Sequence, residues 1–479
     1  MHAFKTITIA ATLALAGCAV STPYRAPAEA VPVYPAGAAY DTGCGTAPSC
    51  AAASAAALGW QDVLGDARLQ RLEMLALANN RDLRVAVLTV QSLAAQARLQ
   101  QAAGRPQLGV AASAGASGGS GEAEAARGRK LAAGLQLNWE TDLFGRLGSL
   151  DDAAAARYLA GGYGRQAAQT LLVAQVAEQY YATVAADAQL ALAGQAVAAA
   201  GAALHVIELQ HGAGIASALD VTLAQTALQQ AQADQAAQLR LQAQAVNALV
   251  QLVGAPLPAD LPAAPAQADS VIAPVPAGLS SDLLRRRPDI AQAEALLRAS
   301  HADVDAARAA FFPTISLTGG AGVASSALSG LFGGAGLWSF VPSLAAPLLD
   351  GGANDARLAQ AKAAQGIAVA TYEKAIQAAF REVSDGLAAR GTYDTQVASL
   401  AALSATSTRR LALATQAWQA GTGDYLGVLA ARTDLVRAQD ALVTARQQRA
   451  TSLVALYRAL GGGWLAHTGE TPPSPLAVR

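Results

Sequence analysis

The chain has 479 residues, of which 53% are hydrophobic, 5% aromatic and 14% charged, and its formal net charge is −1 at pH 7. A net charge this small gives no electrostatic reason to expect nucleic acid or an acidic partner. No run of about 18 apolar residues follows the N-terminal region, which argues against a membrane-spanning helix. Membrane strands remain open, because their signal in each segment is much weaker.

Residues 1–17 have the pattern of an export signal, with Lys5 before an apolar stretch that ends in small residues. The stretch Leu15-Ala-Gly-Cys18 resembles the lipobox of bacterial lipoproteins. The resemblance implies that Cys18 is the first mature residue and carries lipid, and that Ala19 allows sorting to the outer membrane. An ordinary signal peptide with an incidental cysteine is the alternative.

Residues 18–57 are rich in Pro, Ala and Gly and are predicted to form an extended tether. Cys44 and Cys50 lie within it, and in an oxidising compartment two cysteines this close can form a small disulfide loop. A free thiol pair is the alternative. A metal site would need further ligands nearby, and the surrounding sequence offers none.

Leucine and valine recur at helical spacing from about Asp66 to Ala103, which predicts a helix that ends before Pro106. Two alternating segments follow, joined by a polar Gly/Ser turn, and they predict a β-hairpin. The residues expected on the apolar face of this hairpin are Leu108, Val110, Ala112, Ala114, Leu131, Ala133, Leu135, Leu137 and Trp139.

A constant offset of 207 residues relates the two halves of the chain. The offset aligns residues of special conformation, including Asp82 with Asp289, Pro106 with Pro313, Gly145 with Gly352, and Gly254 with Gly461. The sequence therefore predicts the duplication of one helix–hairpin–helix unit. The second hairpin keeps the parity of the first, with apolar residues Ile315, Leu317, Trp338, Phe340 and Leu344. Four strands are too few to close a barrel, so strands that enter lipid must be pooled from several chains.

Each hairpin precedes a predicted helix of unusual length, roughly 146–210 and 353–417, which would be about 100 Å long. The shorter helices, 81–104 and 217–252, together match one long helix. The simplest packing stacks two short helices end to end against a long one through close coiled-coil contacts. The stretches 214–221 and 421–429 interrupt the helical pattern at equivalent positions in the two halves.

No motif in the chain requires an enzyme. The stretch Gly115-Ala-Ser-Gly-Gly119 fits the GxSxG string of a hydrolase, but it lies at the end of an alternating strand in a glycine-rich run. The five histidines lack the spacing of paired zinc ligands. A hydrolase would depend on that single string.

Asp220 and Asp424 lie close to the two interruptions. A helix N-cap, worth about 1 kcal/mol, is the local role expected of at least one of them. If symmetry brings three copies together, rings of these carboxylates could select cations or hold a closed constriction.

Several stretches resemble a known family. They are Leu283–Ile290, Ala309–Leu317, Trp139–Arg146, Trp338–Gly352, Gly421–Leu429 and Tyr457–Trp464. They are similar to the outer membrane factors, the TolC-like exit ducts, and most of all to the lipoprotein branch. The resemblance implies a first repeat over 58–265, a second over 266–465 and a Pro-rich tail over 466–479.

The resemblance implies a mixed α/β membrane protein that works as a homotrimer. Four strands from each chain would form a twelve-stranded outer-membrane barrel on a long α-helical periplasmic barrel. Such a duct is passive and has no cofactor. It would receive small molecules from an inner-membrane pump of the resistance-nodulation-division type, through a periplasmic adaptor that contacts the helix tips at Gly214 and Gly421. The alternatives are a duct for type I protein secretion or metal-cation export, and a non-conducting periplasmic coiled-coil lipoprotein.

One departure from the family pattern concerns the constriction. Family members often carry acids further along the second tip, where this chain has Gly427 and Ala430. Asp424 could take over that role, or Trp418 and Tyr425 could narrow the tunnel by their bulk. The sequence leaves these candidates open, with Asp220 as the acid of the first tip.

Overall fold

The computed structural model describes residues 22–25, 37–40, 55–117, 128–265, 286–326, 333, 336–471 and 474–476. The predicted signal sequence, Cys18, Cys44 and Cys50 lie outside these residues. Lipidation and the disulfide therefore stay predictions.

The described elements repeat once along the chain. The first half contains helices α1 (Trp60–Val63), α2 (Ala67–Asn79) and α3 (Arg81–Ala103), strands β1 (Gln107–Ser117) and β2 (Gly128–Thr141), and helices α4 (Arg146–Gly212) and α5 (Ala218–Val253). The second half contains α6 (Pro288–Ala309), β3 (Thr314–Ser325), β4 (Gly336–Ala345), α7 (Ala353–Gln419) and α8 (Tyr425–Ala459).

The offset of 207 residues holds for the starts of the elements. It relates α3 to α6 (81 to 288), β1 to β3 (107 to 314), α4 to α7 (146 to 353) and α5 to α8 (218 to 425). Helices α4 and α7 have 67 residues each, which corresponds to about 100 Å. The predicted hairpins and long helices are confirmed.

The helix predicted over residues 66–103 is two helices, which corrects the sequence interpretation. Asn80 interrupts it with an extended backbone, φ −61° and ψ 132°. Its Oδ1 accepts a hydrogen bond of 2.9 Å from the N–H of Leu83, and its Nδ2 donates one of 2.8 Å to the carbonyl oxygen of Leu252. Asparagine side chains compete with the helical backbone in this way, so the chain ends one helix and caps the next.

The sequence argues against a membrane-spanning helix, and one helix among the described residues bears on that expectation. By length and average composition alone, α4 is apolar enough to cross a membrane. It does so because alanine dominates its sequence and raises its average hydropathy without a run of large apolar side chains. With 67 residues, the helix is roughly three times longer than the bilayer core is thick, so composition alone does not place it in lipid.

The four strands form one antiparallel sheet in the order β1-β2-β3-β4. The two halves join at its centre, where β2 pairs with β3 from Leu131–Ser325 to Thr141–Ile315. The register places the predicted apolar residues of all four strands on one face. The opposite face carries Leu337 and Val341 of β4 and otherwise small and polar residues, including Gln107, Ser113, Gln136, Asn138, Ser316, Thr318, Ser339 and Ser343.

The chain divides into two compact units, and each takes residues from both halves. The first unit comprises residues 1–29, 88–162 and 292–374, and it contains the sheet. The second comprises residues 30–87, 163–291 and 375–479. Its hydrophobic core is built from α1, α2, α4, α5, α7 and α8, with fully buried side chains that include Trp60, Leu69, Leu72, Tyr180 and Leu456.

Candidate functional site: the two helix tips

The helices α4 and α7 end in the same turn. Gly214 has φ +77°, and the N–H of the residue after it donates a hydrogen bond of 2.8 Å to the carbonyl oxygen of Gln210. Gly421 has φ +73°, and the next N–H donates one of 2.9 Å to Ala417. A six-to-one bond closed by a left-handed glycine is a Schellman motif, which satisfies carbonyl groups at a helix end. A Cβ on either glycine would meet nothing within 4 Å, so backbone conformation, and not space, favours glycine.

The helices that follow the two turns begin with caps at equivalent positions. Ser217 caps α5, and its N–H and hydroxyl donate hydrogen bonds of 2.9 and 2.7 Å to the carboxylate of Asp220. Asp220 N–H donates back to the Ser217 hydroxyl at 3.2 Å, which completes a capping box. The hydrogen bonds from Ser217 lower the pKa of Asp220.

At the second tip Asp424 itself caps α8, and its Oδ1 accepts a hydrogen bond of 2.8 Å from the N–H of Gly427. The expected N-cap is therefore confirmed for Asp424, whereas Asp220 is the third residue of its helix. Residue 427, where the family pattern led us to expect an acid, supplies the N–H that Asp424 caps.

A small core fixes the two tips in the second unit. Tyr425 is only 5% exposed and packs with Ile207 and Val428. Its ring centroid lies 5.6 Å from that of Trp418, with the planes at 55°. Burial raises the pKa of Tyr425. Of the residues considered for a constriction, Tyr425 is thus used in packing within the chain and Trp418 is half-buried beside it, whereas Asp424 is exposed.

Two arginines that the sequence analysis did not single out connect the helices near the tips. Arg410 on α7 forms an ion pair with Asp434 on α8. Arg432 donates a hydrogen bond of 2.9 Å from Nη1 to the carbonyl oxygen of Ala199 on α4. The sequence contained a signal for the pair of Arg410 and Asp434. Arg410 lies nine residues before the end of α7, and Asp434 lies nine residues after the start of α8. Such symmetric spacing predicts contact across a helical hairpin.

Comparison with known proteins places this architecture in a family. The family model described as outer membrane efflux protein matches residues 39–255 and 279–462. Outer membrane protein OprJ of Pseudomonas aeruginosa is 39% identical over 469 residues, which covers 96% of each chain. The toluene efflux pump outer membrane protein TtgI of Pseudomonas putida is 41% identical over 478 residues and covers 96% of this chain and 98% of its own.

A solved structure shares the fold over nearly the whole chain. The open state of the MtrE outer membrane channel of Neisseria gonorrhoeae superimposes with a TM-score of 0.81 and 34% identity, over 95% of this chain and all of that one. The family matches include both repeats, with their tips. The chain therefore belongs to the outer membrane efflux protein family, and it is an outer-membrane exit channel of a tripartite efflux system.

Proposed function

We propose that three copies of this chain form one duct, with a twelve-stranded barrel made of four strands from each copy. The observation that carries the proposal is the sheet. Among the described residues, β1 and β4 each pair on one side only, and the apolar face of the sheet is exposed. Open strand edges are not tolerated in lipid. Pairing β4 of one copy with β1 of the next around a closed ring removes every edge, with the apolar face outward.

The experiment for this assembly is the native mass of the detergent-extracted protein. We expect three times the mass of the processed chain. A monomer that stays folded would contradict the proposal, because a single four-stranded sheet cannot close.

The tips are the surface proposed for the periplasmic adaptor. Each tip exposes an apolar side chain in the first turn of the helix that leaves it, Leu219 in α5 and Leu426 in α8, and these are equivalent positions. Exposed apolar side chains beside the turns at Gly214 and Gly421 suit docking to another protein. The adaptor would connect the duct to an inner-membrane pump of the resistance-nodulation-division type.

The cargo we propose is small apolar organic molecules. The support is the similarity to a Pseudomonas putida protein described as part of a toluene efflux pump. Cells that lack this channel but keep its pump and adaptor should lose tolerance to toluene and regain it when the chain is expressed. Failure to regain tolerance in cells that contain the assembled trimer would contradict this cargo.

The constriction is proposed at the second tip. In a threefold assembly the exposed Asp424 side chains would form a ring of three carboxylates, with Asp220 of each chain in the first tip. Such a ring attracts cations and can hold a narrow, closed entrance. Trp418 would add bulk, whereas the burial of Tyr425 makes it a support for the tip and not part of the opening.

A lipid anchor at Cys18 is proposed from the lipobox-like stretch before it. Metabolic labelling with a palmitate analogue should mark the wild-type protein and leave Cys18→Ser unlabelled. Equal labelling of both proteins would contradict the assignment.

A further inference from the structure

A short N-terminal segment, residues 22–25, lies against helix α6 in the unit that contains the sheet. Its main contact is with the carboxylate of Asp305. The backbone N–H of Thr22 donates a hydrogen bond of 3.1 Å to Oδ2, and the Thr22 hydroxyl donates one of 3.0 Å to Oδ1. Asp305 is almost fully buried and is also paired with Arg308, at 2.9 Å. Hydrogen bonds to an ionised acceptor are roughly twice as strong as neutral ones.

His301, one helical turn before Asp305, holds the same segment from the other side. Its Nε2 lies 2.8 Å from the carbonyl oxygen of Thr22, which can only accept. Nε2 therefore carries a proton. The amide group of Gln365 lies 3.1 Å from Nδ1, on the other side of the ring.

Tyr24 adds an aromatic contact two residues later. Its ring lies edge-on to His301, with centroids 5.7 Å apart and planes at 70°. The guanidinium carbon of Arg298 lies 5.4 Å from the Tyr24 ring centroid, within range of a cation–π interaction. Arg308 also donates a hydrogen bond of 3.3 Å from Nη1 to the Thr22 hydroxyl. Two residues of the segment, which we call the strap (residues 22–25), thus contact four side chains spaced along one side of α6.

We propose that residues 22–25 and α6 form an anchor clamp, which holds the membrane-anchored N-terminus against the sheet-bearing unit. The proposal rests on lipidation of Cys18 for its purpose, whereas the contacts of the clamp are all made by protein groups. Cys18 lies four residues before Thr22, so an extended chain spans at most about 14 Å between them. The clamp therefore restricts the lipid to a small region.

The position of α6 indicates which end of the sheet receives the lipid. Helix α6 ends at Ala309 and β3 begins at Thr314, which pairs with Ala345 at the end of β4. Just beyond Ala345, Leu348 and Leu349 are 94% and 96% exposed. Acyl chains held by the clamp and these two leucines would enter the same leaflet, at the end of the sheet where the helices attach.

Trypsin cleavage after Arg25 tests the clamp, because Arg25 is the first trypsin site after Cys18. The substrate is the purified full-length trimer in detergent, and the readout is the rate at which the fragment ending at Arg25 is released. Cleavage follows the fraction of time that the strap is open. We expect Asp305→Asn to release the fragment at least about tenfold faster than wild type, since it weakens two charge-assisted hydrogen bonds.

Two further variants make the test specific. Thr22→Val removes the contacts of the hydroxyl with Asp305, His301 and Arg308 but keeps the backbone bonds, so it should give a smaller increase, without any change in a folded element. Asp303→Asn is the matched control, because Asp303 is on the same helix but pairs with Arg157 and not with the strap. It should cleave at the wild-type rate.

The clamp is overturned if Asp305→Asn and Thr22→Val both cleave at the wild-type rate, or if Asp303→Asn accelerates cleavage as much as Asp305→Asn. The mass of the released fragment reports lipidation separately. An unacylated fragment released at rates that follow the clamp variants would support the clamp and contradict the lipid anchor.

Discussion

Arg287 donates a hydrogen bond of 3.0 Å from Nη1 to the carbonyl oxygen of Ala459, which ties the start of α6 to the end of α8. In the first repeat, Asn80 makes the equivalent bond to Leu252. Both members of the second pair lie 207 residues after those of the first. The two repeats thus join their short helices end to end by the same bond, made by chemically different side chains.

Replacing Arg287 should destabilise the second unit strongly. The side chain is 5% exposed and also pairs with Asp289 at 2.7 Å and with Glu382 at 2.8 Å. Burial by itself lowers the pKa of Arg287, but these two carboxylates more than compensate, and the pKa is raised. We expect Arg287→Ala to cost about 3–5 kcal/mol, measured by urea unfolding, because Glu382 keeps only its longer ion pair with Arg458, at 3.4 Å.

Asn80→Ala is the matched control for Arg287→Ala. It removes the equivalent junction bond and one capping bond but no ion pair, so the expected cost is about 2 kcal/mol. Equal losses for the two variants would show that the ion pairs of Arg287 contribute nothing.

The buried side chain of Glu73 should make the stability of the folded chain depend on pH. It is fully buried, and neither carboxylate oxygen has a hydrogen-bond partner among the described residues. Burial raises the pKa of Glu73 well above the usual 4.5. The folded chain then keeps a proton that the unfolded chain has released. Stability therefore falls as pH rises from about 4.5 towards the raised pKa, by up to about 1.4 kcal/mol per pH unit.

Glu73→Gln removes this titration, so its melting temperature relative to wild type should increase between about pH 4.5 and about pH 8. Glu208→Gln, at an exposed position on α4, is the charge-matched control. If wild type and Glu73→Gln differ in melting temperature by the same amount at both pH values, the prediction is contradicted.

The seam between β2 and β3 predicts a strict requirement for glycine. Gly134 and Gly322 face each other across it, and a Cβ on Gly134 would lie 2.5 Å from the carbonyl oxygen of Ala321. Gly134→Ala must therefore separate the strands that join the two halves, and we expect little assembled trimer in outer-membrane extracts. Gly109→Ala, where a Cβ would meet nothing within 4 Å, should assemble normally. Normal trimer yield from Gly134→Ala would show that this seam can widen.

Two substitutions of Gly421, in the second tip, distinguish an effect on adaptor docking from an effect of backbone strain. Gly421→Ala places a Cβ at φ +73°, which costs roughly 1–2 kcal/mol, whereas asparagine tolerates that conformation. Only the alanine variant should lower the melting temperature. If the adaptor contacts this glycine, both variants should reduce efflux in cells, because both add a side chain to the surface. Full efflux with Gly421→Asn would mean that the adaptor does not contact residue 421.

Much of this architecture could be predicted from the sequence because duplication preserves positions. One offset located both hairpins, both long helices and both turns, and strand parity identified the apolar face. Residue identity says less about the structure where chemically different side chains make equivalent hydrogen bonds in the two repeats. Asn80 corresponds to Arg287, and Ser217 corresponds to Asp424. An alignment that matches identical residues of the two repeats therefore finds neither the helix break at residue 80 nor the helix cap at residue 217.

The burial of Tyr425 was also beyond sequence reasoning. Alanine covers most sides of α4, α7 and α8, so the sequence carries little information on which side of α8 packs inward. The strap at residues 22–25 was missed for a similar reason. Its partners lie about 280 residues away, and a Pro/Ala-rich tether gives no periodic signal.

Single-channel conductance of the purified protein in planar bilayers tests the central claim, that this chain forms an exit duct narrowed at Asp424. We predict a pore whose conductance rises in Asp424→Ala and also in Asp424→Ser, because serine keeps the helix cap while removing the charge. A pore indifferent to both substitutions would remove Asp424 from the constriction. No conductance from any of the three proteins, together with a monomeric mass, would contradict the duct itself.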